Sequence, residues 1–353
     1  MPHIITLQPS GRQFPVAEDE TVLSAAKRAG LALTYSCRSA ECGSCMAHLL
    51  SGEVRQPALG QTSNAIVEQR HARILVCKAV PVSDLSLAVR ELATPASIPR
   101  RELSVTVVDK TLLAPDIMRV RLAPSTGERL ERLPGQYLNV LLPEDKRRAF
   151  SIANAPHEGS LIELHIRRIA AGNFTRRIFE SSSPVAQLLI EGPLGTFVPR
   201  ENSERPLLFL AGGTGFAPIK ALLEHFLHLG SRRQMTLYWG ARHPGDLYLH
   251  ATLLDWAREH DNFHYVPVLS GPGSPVRWRQ SLVHQAVIQD GVNLSAQDIY
   301  ISGSSPMIEA CRFSLVAAGA LEERFFHEGT DAVFDVITHV MRERAGIRCP
   351  APA

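Results

Sequence analysis

Cys37, Cys42 and Cys45 form a C-x4-C-x2-C run, and Cys77 follows at a distance, so four of the six cysteines crowd one end of a 353-residue chain. That run with a remote fourth thiol has the spacing of a [2Fe-2S] site. Two irons and two bridging sulfides need four thiolates held in fixed directions. Ser39, Ala40, Gly43 and Ser44 are small enough for the loop to wrap closely and turn its amides toward sulfur. Zinc sites usually come as two paired C-x2–4-C units, so a zinc knuckle or four unrelated buried cysteines is the lesser reading of this run with its single distant Cys77. Whatever surrounds the loop must present it. IITLQ and RQFPVA alternate around Pro9, Ser10 and Gly11 as a hairpin, and Thr21 caps a helix over the stretch that ends at Gly30. MAHLLSGEV turns at Ser51 and Gly52, and ILVCKA reads as a strand carrying Cys77 at its end. Cys311 and Cys349 lie far off and read as a buried or incidental thiol each.

A chain this long exceeds what one core organises, so two or three domains are expected. Its residues are 45% hydrophobic and 20% charged, ample for packed cores. The net charge is +2, from 37 basic and 35 acidic residues spread along the whole length, which leaves no electrostatic footprint for nucleic acid. No run of 18 apolar residues occurs, and the first residues lack a basic stretch followed by an apolar one, so neither a membrane span nor secretion is expected. Sparse, clustered cysteines point to a reduced, cytoplasmic setting.

The texture changes twice along the chain. ATPASIPRR, with Pro95 and Pro99, reads as a spacer at 93–101 after a first domain at 1–92. ELSVTVVDKTLL, DIMRVRLA, QYLNVLL, RAFSIAN and LIELHIRRI then make short β-like runs, the pattern of a small antiparallel barrel at 102–202. Beyond it, strands alternate with glycine-rich turns and helices, the βα units of a parallel sheet at 203–330, followed by an extension at 331–353 with one more helix before a proline-rich end.

Two strings in the barrel and three beyond it carry chemistry. RAFS places Arg148, Phe150 and Ser151 at one strand end, and GNFTRR sets Gly172, Asn173, Phe174 and Thr175 at a helix start, where amides and a hydroxyl can hold a phosphate. EGPLGTF follows them. LLFLAGGTGFAPIKALLEH puts Gly212, Gly213, Thr214 and Gly215 between an apolar strand and a helix containing Pro218, which lets a pyrophosphate approach the helix N-terminus. LYWGARHPGDLY adds Arg242 and Asp246 as weaker candidates, and ISGSSPM adds Ser302, Gly303 and Met307.

In this order the motifs resemble the ferredoxin reductase superfamily with an N-terminal plant-type ferredoxin. The resemblance covers residues 1 to about 330. It implies a multidomain fold: an α+β ferredoxin (β-grasp) domain, an antiparallel β-barrel flavin domain and an α/β parallel-sheet NAD domain. It implies Cys37, Cys42, Cys45 and Cys77 as cluster ligands, FAD in the barrel, and NADH as donor with NADPH as the alternative. Arg148 is then expected on the flavin pyrophosphate, Phe150 stacked on the ring system and Ser151 at the flavin N5 edge. Gly172, Asn173, Phe174 and Thr175 take a flavin phosphate. Gly212, Gly213, Thr214, Gly215 and Pro218 bind the nucleotide, with Gly303 and Met307 toward the nicotinamide. Phe150 stands where these proteins usually carry tyrosine, and Ser302 where they carry cysteine, so a hydroxyl and a thiol contribution are absent. NADPH-preferring relatives often carry Ser-Arg where this chain has Ser270-Gly271, which favours NADH.

The expected reaction is electron transfer, with the flavin converting a two-electron donor to a one-electron cluster and Ser151 and Ser302 beside the reacting atoms. Two groups are nearest in kind: the CDP-6-deoxy-delta-3,4-glucoseen reductases of deoxysugar biosynthesis, which LAGGTGFAPIKALLEH and LYWGARHPGDLY resemble more, and reductase components of Rieske or diiron oxygenases. The first passes electrons to a dehydrase, the second to an oxygenase. A reading of another class, a redox sensor or electron carrier that no longer turns over pyridine nucleotide, is motivated by Phe150 and Ser302. Relatives also end near an aromatic or acidic residue covering the flavin, for which Phe325, Phe326, Glu328 and Phe334 are candidates.

Overall fold

The computed structural model describes residues 2–31, 33, 35, 45–57, 64–68, 72–89, 98–125, 127–143, 146–169, 172–180, 187–271 and 278–329. Cys37, Cys42, Phe334 and the extension at 331–353 lie outside them.

The first unit is the expected α+β grasp. Strands β1 (His3–Gln8) and β2 (Gln13–Val16) form the hairpin, and helix α1 (Val22–Arg28) follows, with the Thr21 hydroxyl accepting the Ser24 amide. Next come β3 (Met46–Ser51), β4 (Val54–Pro57), β5 (Asn64–Val67), β6 (Arg73–Leu75), β7 (Val80–Pro81) and β8 (Leu85–Ala88). The main sheet runs β2-β1-β8-β3-β6, with β1 parallel to β8, and β5-β4-β7 form a small second sheet. Alternation buries Ile5 and Leu7 on one face, where Val22, Leu23, Ala25 and Ala26 of α1 join the same core.

Second is an antiparallel barrel of β9 (Arg101–Ala114), β10 (Ile117–Pro124), β11 (Tyr137–Leu141), β12 (Arg147–Ser151), β13 (Ile162–Arg167) and, after helix α2 (Asn173–Glu180), β14 (Gln187–Leu194). The order is β12-β11-β14-β9-β10-β13, and a bridge from Ile152 to Leu164 brings the two end strands together. Register shifts in the β9–β10 pair bend the sheet toward that closure. Glu191, buried on β14, ties the incoming chain to this barrel by pairing with Arg100 at 3.0 Å and Arg147 at 3.1 Å.

The third unit is a parallel sheet: β15 (Leu207–Gly212), α3 (Phe216–His228), β16 (Met235–Ala241), α4 (His250–Glu259), β17 (Phe263–Leu269), β18 (Arg279–Gln280), α5 (Val283–Gln289), β19 (Asp298–Gly303), α6 (Ser305–Ala317) and β20 (Phe325–Gly329). Its order is β18-β17-β16-β15-β19-β20. The chain therefore reverses direction across the sheet between β15 and β19, and ligands of such sheets bind at the carboxyl ends of the strands at this point. Among the described residues no helix is long and apolar enough to cross a membrane.

Candidate functional site

At that reversal a cleft of about 1310 Å³ opens between the barrel and the parallel sheet. It exceeds the usual range for one small ligand, roughly 300 to 1,000 Å³. Arg148, Phe150 and Ser151 line it from β12, Gly172, Phe174 and Thr175 from the start of α2, Gly212, Gly213 and Thr214 from the end of β15 and the turn after it, and Met307 from α6. The motifs read separately in sequence thus converge on one space. Arg242 and Asp246 also line it. The rings of Phe150 and Phe174 lie 5.6 Å apart and tilted by 41°, an apolar wall for a flat ring system. Asn173 opens α2, and its side chain lies outside the described residues.

Several of the expected residues have contacts within the protein. The Thr175 hydroxyl folds the loop onto its own helix, accepting the Ile169 amide at 3.1 Å and donating to the Gly172 carbonyl at 3.1 Å. Pro218 is buried in the first turn of α3 and does not line the cleft, because a proline there starts the helix without losing a needed donor. Gly215 is buried too. A Cβ on it would collide with the Ser302 carbonyl, so its role is close packing of α3 on β19. Gly303 packs under the Met307 sulfur, which a Cβ would meet at 2.7 Å, and Gly212 has the same sulfur over it.

Ser302, expected beside the reacting atoms, is fully buried and does not line the cleft. It pairs with Ala211 on one side and Glu328 on the other, one layer beneath the floor. Its Oγ has no hydrogen-bond partner among the described residues. The lining itself, with Arg148, the Phe150–Phe174 wall and the cradle of Gly212, Gly213 and Thr214, fits a flavin and a nicotinamide nucleotide.

The structure adds residues the motifs did not single out. Trp239 donates its indole N–H to the Gly213 carbonyl at 3.1 Å and stacks on Phe216 at 4.1 Å, which fixes the glycine loop. Arg167, paired with Asp116 at 3.3 Å, lays its guanidinium against Gly213, a cation where phosphates would lie. Its place at the end of a strand facing the loop was the available signal. Of the terminal candidates, Glu328 lines the cleft and is buried, while Phe325 and Phe326 are core residues of β20.

At the cleft wall, where His165 is one of the lining residues, a buried polar cluster joins the two domains. His165 Nε2 lies 3.1 Å from Glu163 and its Nδ1 3.0 Å from the Tyr248 hydroxyl, while Lys220 Nζ reaches Glu163 at 3.2 Å, Glu224 at 2.5 Å and the Ala153 carbonyl at 3.1 Å. Burial pushes the Glu163 carboxyl up, but the hydrogen bond from His165 and the charge of Lys220 outweigh it and hold it below the carboxylate range. Burial also lowers His165 against the pull of Glu163, and raises Glu224 against Lys220. A carboxylate only accepts, so Nε2 of a neutral His165 carries the proton and Nδ1 accepts from Tyr248.

In the first unit, Cys45 and Cys77 are buried with their sulfurs 3.2 Å apart. Cys77 is not at a strand end. The strand stops at Leu75, because Lys78 and Ala79 turn their amides back onto its carbonyl and Val76 donates to Cys45. The first amides of α1, on Val22 and Leu23, bond the Ala79 and Val76 carbonyls, so the helix start holds this turn. Two converging buried thiols suit two ligands of one cluster.

Three family models match successive parts of the chain. Residues 5–82 match the 2Fe-2S iron-sulfur cluster binding domain, 104–198 the oxidoreductase FAD-binding domain and 209–312 the oxidoreductase NAD-binding domain. The chain is 36% identical to the CDP-6-deoxy-L-threo-D-glycero-4-hexulose-3-dehydrase reductase of Yersinia pestis, over 92% of this chain and 97% of that one. It is 32% identical to reductase component 1 of the terephthalate 1,2-dioxygenase of a Comamonas species, over 92% and 96%. The crystal structure of the Amycolatopsis cytochrome P450 reductase GcoB superposes with a TM-score of 0.71 at 28% identity, covering 93% of this chain and 98% of that one.

Proposed function

The chain belongs to the oxidoreductases that join a 2Fe-2S domain to FAD- and NAD-binding domains, and we propose that it draws electrons from NADH and delivers them through its cluster to a partner enzyme. The observation that carries this reading is the single cleft on which the flavin motif, the glycine loop and Met307 converge. When bound, the nicotinamide supplies a hydride, and the flavin and cluster divide its two electrons into single ones.

The residues do the placing. Arg148, always charged, holds the flavin pyrophosphate, and Phe150 and Phe174 wall the ring system. Ser151, which lines the same cleft from the end of β12, would offer its hydroxyl to the flavin's reacting edge. Gly212, Gly213 and Thr214 offer backbone to the nucleotide pyrophosphate while Met307 shields the nicotinamide side. Glu328 lines the cleft, and Ser302, paired with it in register one layer below, acts through it as a positioning residue. Cys37, Cys42, Cys45 and Cys77 ligate the cluster. The working units are 1–92, 102–202 and 203–330, joined by a linker at 93–101, with an extension at 331–353.

NADH is favoured because Gly271 leaves no place for an arginine fork: a side chain there would run into the Arg242 carbonyl. A dehydrase of deoxysugar chemistry is the favoured acceptor, on the 36% identity to the Yersinia reductase. The oxygenase reading draws on the Comamonas relative. The intact glycine cradle speaks against a sensor that no longer turns over nucleotide.

Anaerobic titration with NADH tests the whole proposal. Purified protein carrying flavin and cluster should lose both visible absorptions within seconds and then reduce cytochrome c. Bleaching by NADPH alone overturns the donor assignment, and bleaching by neither nucleotide overturns the function. Coupled turnover with a dehydrase or an oxygenase then decides the acceptor.

A further inference from the structure

Tyr35 stands two residues before the first cluster cysteine, with Ser36 between them, and is tied to the barrel rather than to its own unit alone. Its amide donates to the Thr196 hydroxyl at 2.9 Å, and that hydroxyl donates to the Tyr35 carbonyl at 2.9 Å, so one side chain satisfies both backbone groups of one residue. The Gly195 amide donates to the Tyr35 phenol oxygen at 3.3 Å. Within the first unit, Lys27 Nζ stands 3.4 Å from the centre of the Tyr35 ring, a cation–π contact that sets the ring's position.

Gly195 is what makes the place informative. Its φ is +90°, which turns its amide toward Tyr35, and a Cβ would meet the Tyr137 ring at 2.8 Å and lie 3.7 Å from Glu328 Oε2. Tyr137 and Glu328 both line the cleft. A single glycine, Gly195, thus stands between Tyr35 and Tyr137, a residue that lines the cleft. Domain interfaces within a chain are mobile unless something holds them. Here a reciprocal pair of bonds from a β-branched residue, stiff at χ1, supplies the hold two residues before Cys37.

We propose that Tyr35 and Thr196 are positioning residues that latch the cluster loop onto the flavin barrel, and that this latch governs electron passage from barrel to cluster without bearing on nucleotide oxidation. The inference rests on the electron path proposed above.

The test is rapid mixing of the anaerobic full-length protein with NADH, following flavin and cluster absorption separately. Thr196→Val removes both hydroxyl bonds at nearly constant shape. It should leave flavin bleaching unchanged, slow cluster bleaching about tenfold and slow cytochrome c reduction in step, and Thr196→Ser should restore the native rate. Hydrogen–deuterium exchange of the same proteins supplies a readout independent of turnover: the Tyr35 amide should lose protection in Thr196→Val and regain it in Thr196→Ser. Should Thr196→Val not assemble with both chromophores, Tyr35→Phe takes its place, with a slowing of roughly two- to tenfold from loss of the single bond to Gly195. Native cluster bleaching in the variant used, or flavin and cluster slowed together, overturns the latch. If the wild-type flavin is reduced but its cluster never is, the electron path itself fails and the latch falls with it.

Discussion

Lys220 of the nucleotide domain reaches Glu163 of the barrel at 3.2 Å, and both side chains are almost wholly withdrawn from solvent. The pair is braced by Glu224 and by His165, so removing one partner leaves a charge buried without its counterion. Lys220→Met should therefore lower stability by about 3 to 5 kcal/mol. Denaturant titration checks it, and a loss below about 1 kcal/mol would mean that water reaches the cluster and screens it.

The same cluster makes the domain junction sensitive to acid. His165 is held neutral by burial, below its ordinary value of 6.5, so as pH falls through that value the unfolded chain takes up a proton that the folded chain refuses. Stability is full above 6.5 and declines below it, by at most about 1.4 kcal/mol per pH unit for one group. Glu163, lowered, acts in the same direction at lower pH, while Glu224, raised, gains a proton first in the folded state and offsets part of the loss. Melting temperatures between about pH 7.5 and 5 should fall less in His165→Gln and more steeply in Glu224→Gln.

Much of this was legible in the residues. Local signals such as the Thr21 cap, the alternation around Pro9 to Gly11 and the glycine loop map directly onto elements, because each is decided within a few residues. Convergence of the motifs on one cleft was implied by their resemblance and is visible only in three dimensions. Pro218 and Ser302 were misplaced for one reason: a motif string gives proximity along the chain, while burial depends on which neighbour covers a residue, here α3 and the paired strands β15 and β20. The cluster of Glu163, His165, Lys220 and Glu224 joins one strand, β13, to one helix, α3, far apart in sequence, and no spacing announces that meeting.

Ser302 separates a structural role from a functional one. Its hydroxyl is buried and makes no hydrogen bond to the described residues, so Ser302→Ala removes a desolvated polar group without breaking a bond. Stability should hold or rise by about 1 kcal/mol, while the rate at which NADH bleaches the flavin falls. A variant that loses stability instead would mean that the hydroxyl is satisfied within the protein.

The cysteines allow a clean division between two exits for electrons. Cys77 lies in a turn held by the start of α1 and faces Cys45, whereas Cys311 is buried in α6 with its thiol pushed up to about 12, far from the thiolate state a metal needs. Cys77→Ser should therefore lose the cluster absorption and cytochrome c reduction while keeping NADH-driven reduction of ferricyanide, which can be served from the flavin. Cys311→Ser should keep all three. The visible spectrum with both acceptor assays decides it: cytochrome c reduction that survives in Cys77→Ser would show that electrons leave from the barrel, and that the first unit is not on their path.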